Sequence, residues 1–180
     1  MKYVLLLRGI NVGGKNKVSM AELKDKILNV GYENVISYIN SGNIIFDTTD
    51  GIDTVNQSIS KILNTYPFKI NKVILSRSEY LEELENLPSW WFNDSYKKDV
   101  LFYTNEIDYS FMRARIEQMP LLDESVHFGK NAVFWGKYNE NSYLKTSYHK
   151  YLIKESFYKF VTIRNSRTFE KIADLLKWYF

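Results

Sequence analysis

The chain has no cysteine, and that absence removes disulfides, thiolate metal sites and a cysteine nucleophile from consideration. Histidine is nearly as scarce. The two, His127 and His149, share no H-x-x-x-H or carboxylate spacing that would point to a metal. No G-x-S-x-G nucleophile elbow occurs, and the pattern pairs no serine with a histidine. Long apolar runs are missing too: the opening run, residues 3–7, stops at Arg8, too short for a signal peptide or a membrane span. A cytoplasmic protein with no membrane partner is expected. There is no basic tail either. The net charge is +3, with 10 Lys+Arg against 10 Asp+Glu in residues 1–90 and 14 against 11 in residues 91–180. A dedicated nucleic-acid binder carries a denser basic patch than that.

What is present fits a globular protein. Of 180 residues, 45% are hydrophobic and 25% charged, outside the disordered range, and a chain this long suits one ordinary domain or two small ones. Aromatic residues reach 16%, including 14 Tyr and 4 Trp, side chains that fill cores but are also enriched in interfaces and base-stacking surfaces.

Apolar periodicity and turn chemistry divide the chain into elements. Residues 2–8 read as a buried strand, because their apolar side chains run without alternation. Ser19 and Glu22 form a capping box at the start of a helix that Gly31 closes. Strands over 35–39 and 44–47 flank the turn Asn40-Ser41-Gly42-Asn43, a β-hairpin. A helix is expected over 50–66, ended by Pro67, and a strand over 70–75. The order is β-α-β-β-α-β, the split-βαβ, ferredoxin-like arrangement with an antiparallel sheet and both helices on one face. An acidic linker helix over 76–87 then meets Pro88 and the aromatic run Trp90-Trp91-Phe92.

The second half repeats this order: a strand over 99–104, a helix over 109–119 ended by Pro120, a hairpin of 124–129 with 132–135, a helix over 142–158, a strand over 160–163 and a final helix over 166–178. The expected fold is therefore α+β: two ferredoxin-like subdomains, 1–88 and 89–180, plus the linker helix and a C-terminal helix. The repeat is one of element order, with negligible identity between the halves.

Three loop motifs carry the candidate chemistry. Gly9-Ile10-Asn11-Val12-Gly13-Gly14-Lys15 matches the first seven positions of the phosphate-loop pattern G-x-x-x-x-G-K-[ST]. Asn16 stands where the magnesium-binding hydroxyl belongs, the helix begins four residues late, and a hairpin follows where a parallel sheet should. A true phosphate loop is disfavoured. A connector that uses glycines for positive φ and a polar-ligand loop served by Arg8, Lys15 or Lys17 both stay open. In the second motif, Asn40-Ser41-Gly42-Asn43, each residue type has a local turn reason. In the third, Thr162-Ile163-Arg164-Asn165-Ser166-Arg167-Thr168, capping accounts for Asn165 and Thr168. It does not account for two arginines at the positive end of a helix dipole, a conflict that a bound anion or a carboxylate would resolve.

Other features are read as structural. Glu79 to Glu85 form a solvated helix face, and Trp90-Trp91-Phe92 pack at the seam between the halves or offer a partner surface. The aromatic RNA-binding signature K/R-G-F/Y-G/A-F-V-x-F/Y is absent, so Phe102, Tyr103, Phe134 and Trp135 read as core.

Arg8-Gly9-Ile10-Asn11-Val12-Gly13-Gly14, Ser41-Gly42-Asn43, and Thr162-Ile163-Arg164-Asn165 with Thr168 together resemble an uncharacterised bacterial family, domain of unknown function 1697. The match spans the chain and is specific in combination. Ser166 departs from it, since family members often carry an aromatic residue there. The resemblance implies two ferredoxin-like subdomains. It brings no activity, substrate or cofactor, and a loop signature points to binding more than to packing.

The favoured function is binding of a small anionic, phosphate-bearing ligand. The site residues expected for it are Arg8, Gly9, Asn11, Gly13, Gly14, Lys15, Ser41, Asn43, Arg164 and Asn165. Two alternatives stay open: nucleic-acid binding across both subdomains, and a non-catalytic interaction or oligomerisation module built on Trp90 to Phe92 and Trp178-Tyr179-Phe180. No catalytic residue, metal ligand or cofactor is assigned, whether the chain is an enzyme is open, and so is its oligomeric state.

Overall fold

The computed structural model describes residues 1–104 and 106–178; Tyr179 and Phe180, expected as part of a terminal aromatic cluster, lie outside the described residues. The fold is α+β, with two four-stranded antiparallel sheets and six α-helices among the described residues. The chain divides into two compact units. One holds Met1–Glu82 with the last helix from Ile172 onward, and the other holds Glu83–Lys171.

In the first unit β1 (Lys2–Arg8), α1 (Met20–Asn29), β2 (Glu33–Tyr38), β3 (Asn43–Asp47), α2 (Ile52–Leu63) and β4 (Asn71–Ser76) follow in sequence. The strands lie in the order β2-β3-β1-β4. Ser19 caps α1, its hydroxyl accepting the Glu22 N–H at 3.3 Å, and Gly31 takes a φ of +91° just beyond the helix, as a C′ residue does. Tyr3, Leu5 and Leu7 of β1 point to the face that α1 and α2 cover, packing with Ile44 and Phe46 of β3, Leu23 and Ile27 of α1, and Val55 and Ile59 of α2. Truncating one such buried leucine to alanine typically costs about 2–5 kcal/mol. The intervening Val4, Leu6 and Ile45 are buried as well, which is why β1 shows no alternation. The helix expected over 50–66 is shorter. Asp50 stays outside it, its carbonyl accepting from the Tyr3 hydroxyl at 3.2 Å and its carboxylate from the Tyr32 hydroxyl at 3.2 Å.

Helix α3 (Arg77–Glu85) and a 3-10 turn, Ser89–Phe92, lead into β5 (Lys97–Tyr103), α4 (Tyr109–Glu117), β6 (Glu124–Phe128), β7 (Ala132–Lys137), α5 (Ser147–Lys150), β8 (Val161–Asn165) and α6 (Ser166–Trp178). The second sheet has the order β6-β7-β5-β8. Leu101, Val133 and Trp135 pack with Met112 and Ile116 of α4 and with Tyr148 of α5. On the opposite face Phe134 meets the Trp91 and Phe169 rings edge-on at 5.5 and 5.6 Å. The Trp91 indole N–H donates to Glu170 at 3.0 Å. Trp91 is thus core, while Phe92 is exposed.

One expected element is corrected. The helix read over 142–158 is broken into a 3-10 turn Tyr143–Lys145, the single turn of α5, and further 3-10 turns at Leu152–Lys154 and Tyr158–Phe160. The Ser147 and Tyr148 amides, which a continuous helix would direct to its own carbonyls, donate to the Glu124 carboxylate at 2.9 and 3.0 Å. Thr146 starts a new cap, accepting from the His149 N–H at 3.3 Å. A segment rich in Ser, Thr and Tyr has little helix propensity to set against such acceptors. Two strands are also longer than expected, and this matters for the site: β5 begins at Lys97 and β7 continues to Lys137.

Candidate functional site

The glycine-rich loop of the first unit is a small hairpin braced by its own asparagines. Gly13 and Gly14 sit at φ +57° and +73°, the two positive angles of a type I′ turn, with Lys15 N–H donating to the Val12 carbonyl at 3.0 Å. The Asn11 N–H donates to the Asn16 carbonyl at 3.1 Å, and the Asn16 side chain donates to the Gly9 carbonyl at 3.0 Å. Two of the amides that a phosphate cradle would aim outward are therefore committed inside the loop. So is Asn16, at the position where the pattern puts a hydroxyl.

Asn11 does most to place this loop. Its side-chain amide donates to the Val18 and Asn40 carbonyls at 3.0 and 2.8 Å and accepts from the Val18 N–H at 2.8 Å. The loop and the 40–43 turn therefore meet. The Leu7 N–H reaches the Gly42 carbonyl at 2.9 Å. A Cβ on Gly42 would fall 2.6 Å from that of Leu7, and the residue stands at φ +83°, so only glycine fits. Asn43 is buried and donates to the Tyr38 carbonyl and the Ser41 hydroxyl, both at 2.9 Å. Of the expected site residues, Gly9, Asn11, Gly13, Gly14, Ser41 and Asn43 thus have structural work to do. Arg8 is half-buried at the end of β1, and Lys15 is exposed.

The other two expected residues, Arg164 and Asn165, belong to the second unit. Arg164 is 6% exposed, and its guanidinium donates to the Thr162 hydroxyl at 3.1 Å and the Ile163 carbonyl at 2.9 Å. Asn165 accepts the Thr168 N–H at 2.8 Å, which caps α6.

Asn165 also stands at a cleft of about 430 Å3, lined by Lys97, Lys98, Asp99, Arg167, Tyr96 and Tyr143 among others. The sheet builds it by placing Asp99 where its counterpart places the core residue Tyr3. Lys97 and Lys137 are cross-strand partners, and so are Lys137 and Glu124, so a row of three ionisable groups crosses β5, β7 and β6 on the face that carries Trp135. Asp99, two residues along from Lys97, pairs in register with Trp135 on one side and Asn165 on the other.

Lys137 is fully buried. Its ammonium donates to the Asp99 carboxylate and lies 3.6 Å from the centroid of the Tyr148 ring. Burial pushes the Lys137 pKa down, and the Asp99 carboxylate opposes that shift. Burial pushes the Tyr148 hydroxyl up, and Asp99, its hydrogen-bond partner, adds to the effect. Glu124 anchors the far end, accepting the Trp135 indole N–H at 3.0 Å along with the two α5 amides. At the mouth the Lys97 ammonium lies 4.5 Å from the Tyr143 ring centroid and 5.2 Å from that of Tyr96. Buried charge sharing a cleft with perturbed groups is a recurrent mark of functional sites. Among the described residues no three acidic or histidine side chains gather in a metal-holding group.

The two sheets can be compared at the strand end where a helix begins. Ser76 of β4 pairs in register with Tyr3, and Glu79, three residues on, turns its carboxylate back onto the Ser76 N–H at 2.8 Å. Helix α3 thus starts with its own anion. Asn165 of β8 pairs with Asp99, and the first turn of α6 holds no acidic residue. Arg167 lies there, in the lining of the cleft. The sequence motif shows arginines at a positive helix end but gives no sign of Lys97, Asp99, Lys137 and Tyr148. The available signal was the lysine and aspartate two apart at 97 and 99, which puts both on one face of a strand.

A family model described as "Protein of unknown function (DUF1697)" matches residues 1–134. The conserved bacterial protein SP0830 from Streptococcus pneumoniae has a similar solved structure, with 49% sequence identity and a TM-score of 0.93, the match covering 97% of this chain and 98% of that one. No curated protein matches the chain. With the family's model covering residues 1–134, the chain belongs to the DUF1697 family of proteins of unknown function.

Proposed function

We propose that the protein is a cytoplasmic binder of a small phosphate-bearing anion, held in the cleft of the second unit. The observation that carries this reading is a pair of cations in the cleft lining, Lys97 and Arg167, around the start of a 13-residue helix with no acidic residue in its first turn. A helix start attracts anions through its unpaired N–H groups and its dipole. Charge-assisted hydrogen bonds from arginine to phosphate are about twice as strong as neutral ones.

The identical strand orders of the two sheets further support two ferredoxin-like subdomains, 1–88 and 89–180, related by duplication. The second is the more eroded, with short turns where its second helix would run.

Differential scanning fluorimetry with inorganic phosphate, pyrophosphate and phosphorylated metabolites tests the binding reading. A rise in Tm that Arg167→Ala and Lys97→Ala each remove supports it. A rise removed by Arg8→Ala alone would move the site to the glycine-rich loop, and no rise with any phosphate compound would refute it.

A further inference from the structure

We propose that the ligand of this cleft is a nucleoside monophosphate; the inference rests on the anion-binding reading and goes beyond it. Three kinds of chemistry share the cleft. Lys97 and Arg167 supply positive charge at one part of the wall, while the Lys98 ammonium is held by the Trp91 carbonyl at 2.6 Å. The Asp99 carboxylate, anchored from behind by Lys137, supplies an acceptor that repels a bare phosphate but takes hydrogen bonds from hydroxyl groups. Tyr96 and Tyr143 supply aromatic rings, packed edge to face at 5.5 Å. A ligand that satisfies all three carries a phosphate, neighbouring hydroxyls and a flat ring. Phosphate, ribose and base meet that description.

The volume agrees. About 430 Å3 lies within the roughly 300–1,000 Å3 typical of small-molecule sites, which is room for one nucleotide.

Lys97 couples the two ends of the site. Its ammonium now spends itself on the Tyr143 and Tyr96 rings, an exposed cation–π contact that a hydrogen bond to phosphate outcompetes. When Lys97 swings to the phosphate it uncovers the tyrosine rings, and a base takes its place. Base stacking on an aromatic side chain tolerates any base, so AMP and UMP are expected to bind alike.

Isothermal titration of the full chain with AMP, UMP, ribose 5-phosphate, inorganic phosphate and a dodecanucleotide decides the matter. The expected result is binding of both nucleotides about tenfold more tightly than ribose 5-phosphate. Tyr96→Ala, at an exposed position, should erase that preference. Equal affinity for ribose 5-phosphate and AMP would overturn this inference while the anion reading stands. Binding of the dodecanucleotide without binding of either mononucleotide would overturn it in favour of a nucleic-acid surface. No binding by any of the five would sink both readings.

Discussion

Helices α3 and α6 begin in the same way, each directly after the edge strand of a sheet with the same strand order, and they solve the problem of their unpaired N–H groups differently. Helix α3 bends its own Glu79 back over its start. Helix α6 has Asn165 as a cap and Arg167 beside it, with no carboxylate in the turn. The α3 start carries its own carboxylate, whereas the α6 start is capped by the neutral side chain of Asn165. The contrast extends inward. Beside Ser76 the first sheet sets Tyr3, its ring stacked 6.0 Å from that of Phe46. Beside Asn165 the second sets Asp99, paired to a buried lysine. The first unit invests the position in packing, and the second in charge.

The strongest way to break this comparison is to remove the charge. Lys137→Met leaves the Asp99 carboxylate, only 15% exposed, without its cation, and should cost about 3–5 kcal/mol in urea unfolding. A neutral result would mean that the pair is ornamental and the two sheets are energetically alike. Next in size is a packing test in the first unit. Gly42→Ala drives a Cβ into Leu7 at a left-handed backbone position, with an expected loss of about 2–3 kcal/mol. Anion binding should survive it. Loss of phosphate binding in that variant would place the ligand at the glycine-rich loop.

A third variant exchanges the two helix starts. Ser166→Glu gives α6 the acidic first turn that α3 has, and should weaken phosphate binding about tenfold while adding about 0.5 kcal/mol of stability. Glu79→Gln should cost about 1 kcal/mol and leave phosphate binding unchanged. Binding that ignores Ser166→Glu would dissolve the contrast between the helices.

The smallest effect is in pH dependence. Lys137, whose pKa burial lowers from 10.5, binds fewer protons folded than unfolded between its lowered value and 10.5. Stability should rise with pH across that window. Tyr148, raised above 10.0, keeps its proton where the unfolded chain loses it, so stability should fall as pH climbs past 10. Urea midpoints from pH 7 to 11 should lose the first trend in Lys137→Met and the second in Tyr148→Phe. Midpoints with the same pH dependence in wild type and both variants would show that neither group is coupled to folding.

Local chemistry made much of the first unit legible. The Ser19 and Glu22 box, Gly31 and the unbroken run of β1 each depend on neighbours a few residues away. The hidden parts depend on partners far along the chain. Nothing near Ser147 announces that Glu124, 23 residues earlier, will take its amide and interrupt a plausible helix. The cleft escaped for a related reason. Lysine rarely belongs in a sheet interior, so strands read from apolar residues alone stop at Asp99 and Trp135, just short of Lys97 and Lys137. The loop motifs were visible, but their composition cannot say whether an asparagine serves a ligand or its own backbone. Asn11, with three bonds to the chain, answers for itself.

That same side chain makes the join between two loops sensitive to the exchange of a single group. Both N–H bonds of Asn11 point at carbonyl oxygens, Val18 and Asn40. Deamidation would replace the donor with an oxygen of nearly the same size and turn two attractions into two repulsions. The damaged molecule would look almost unaltered in mass and outline, yet the clasp between its first two loops would be pushing them apart.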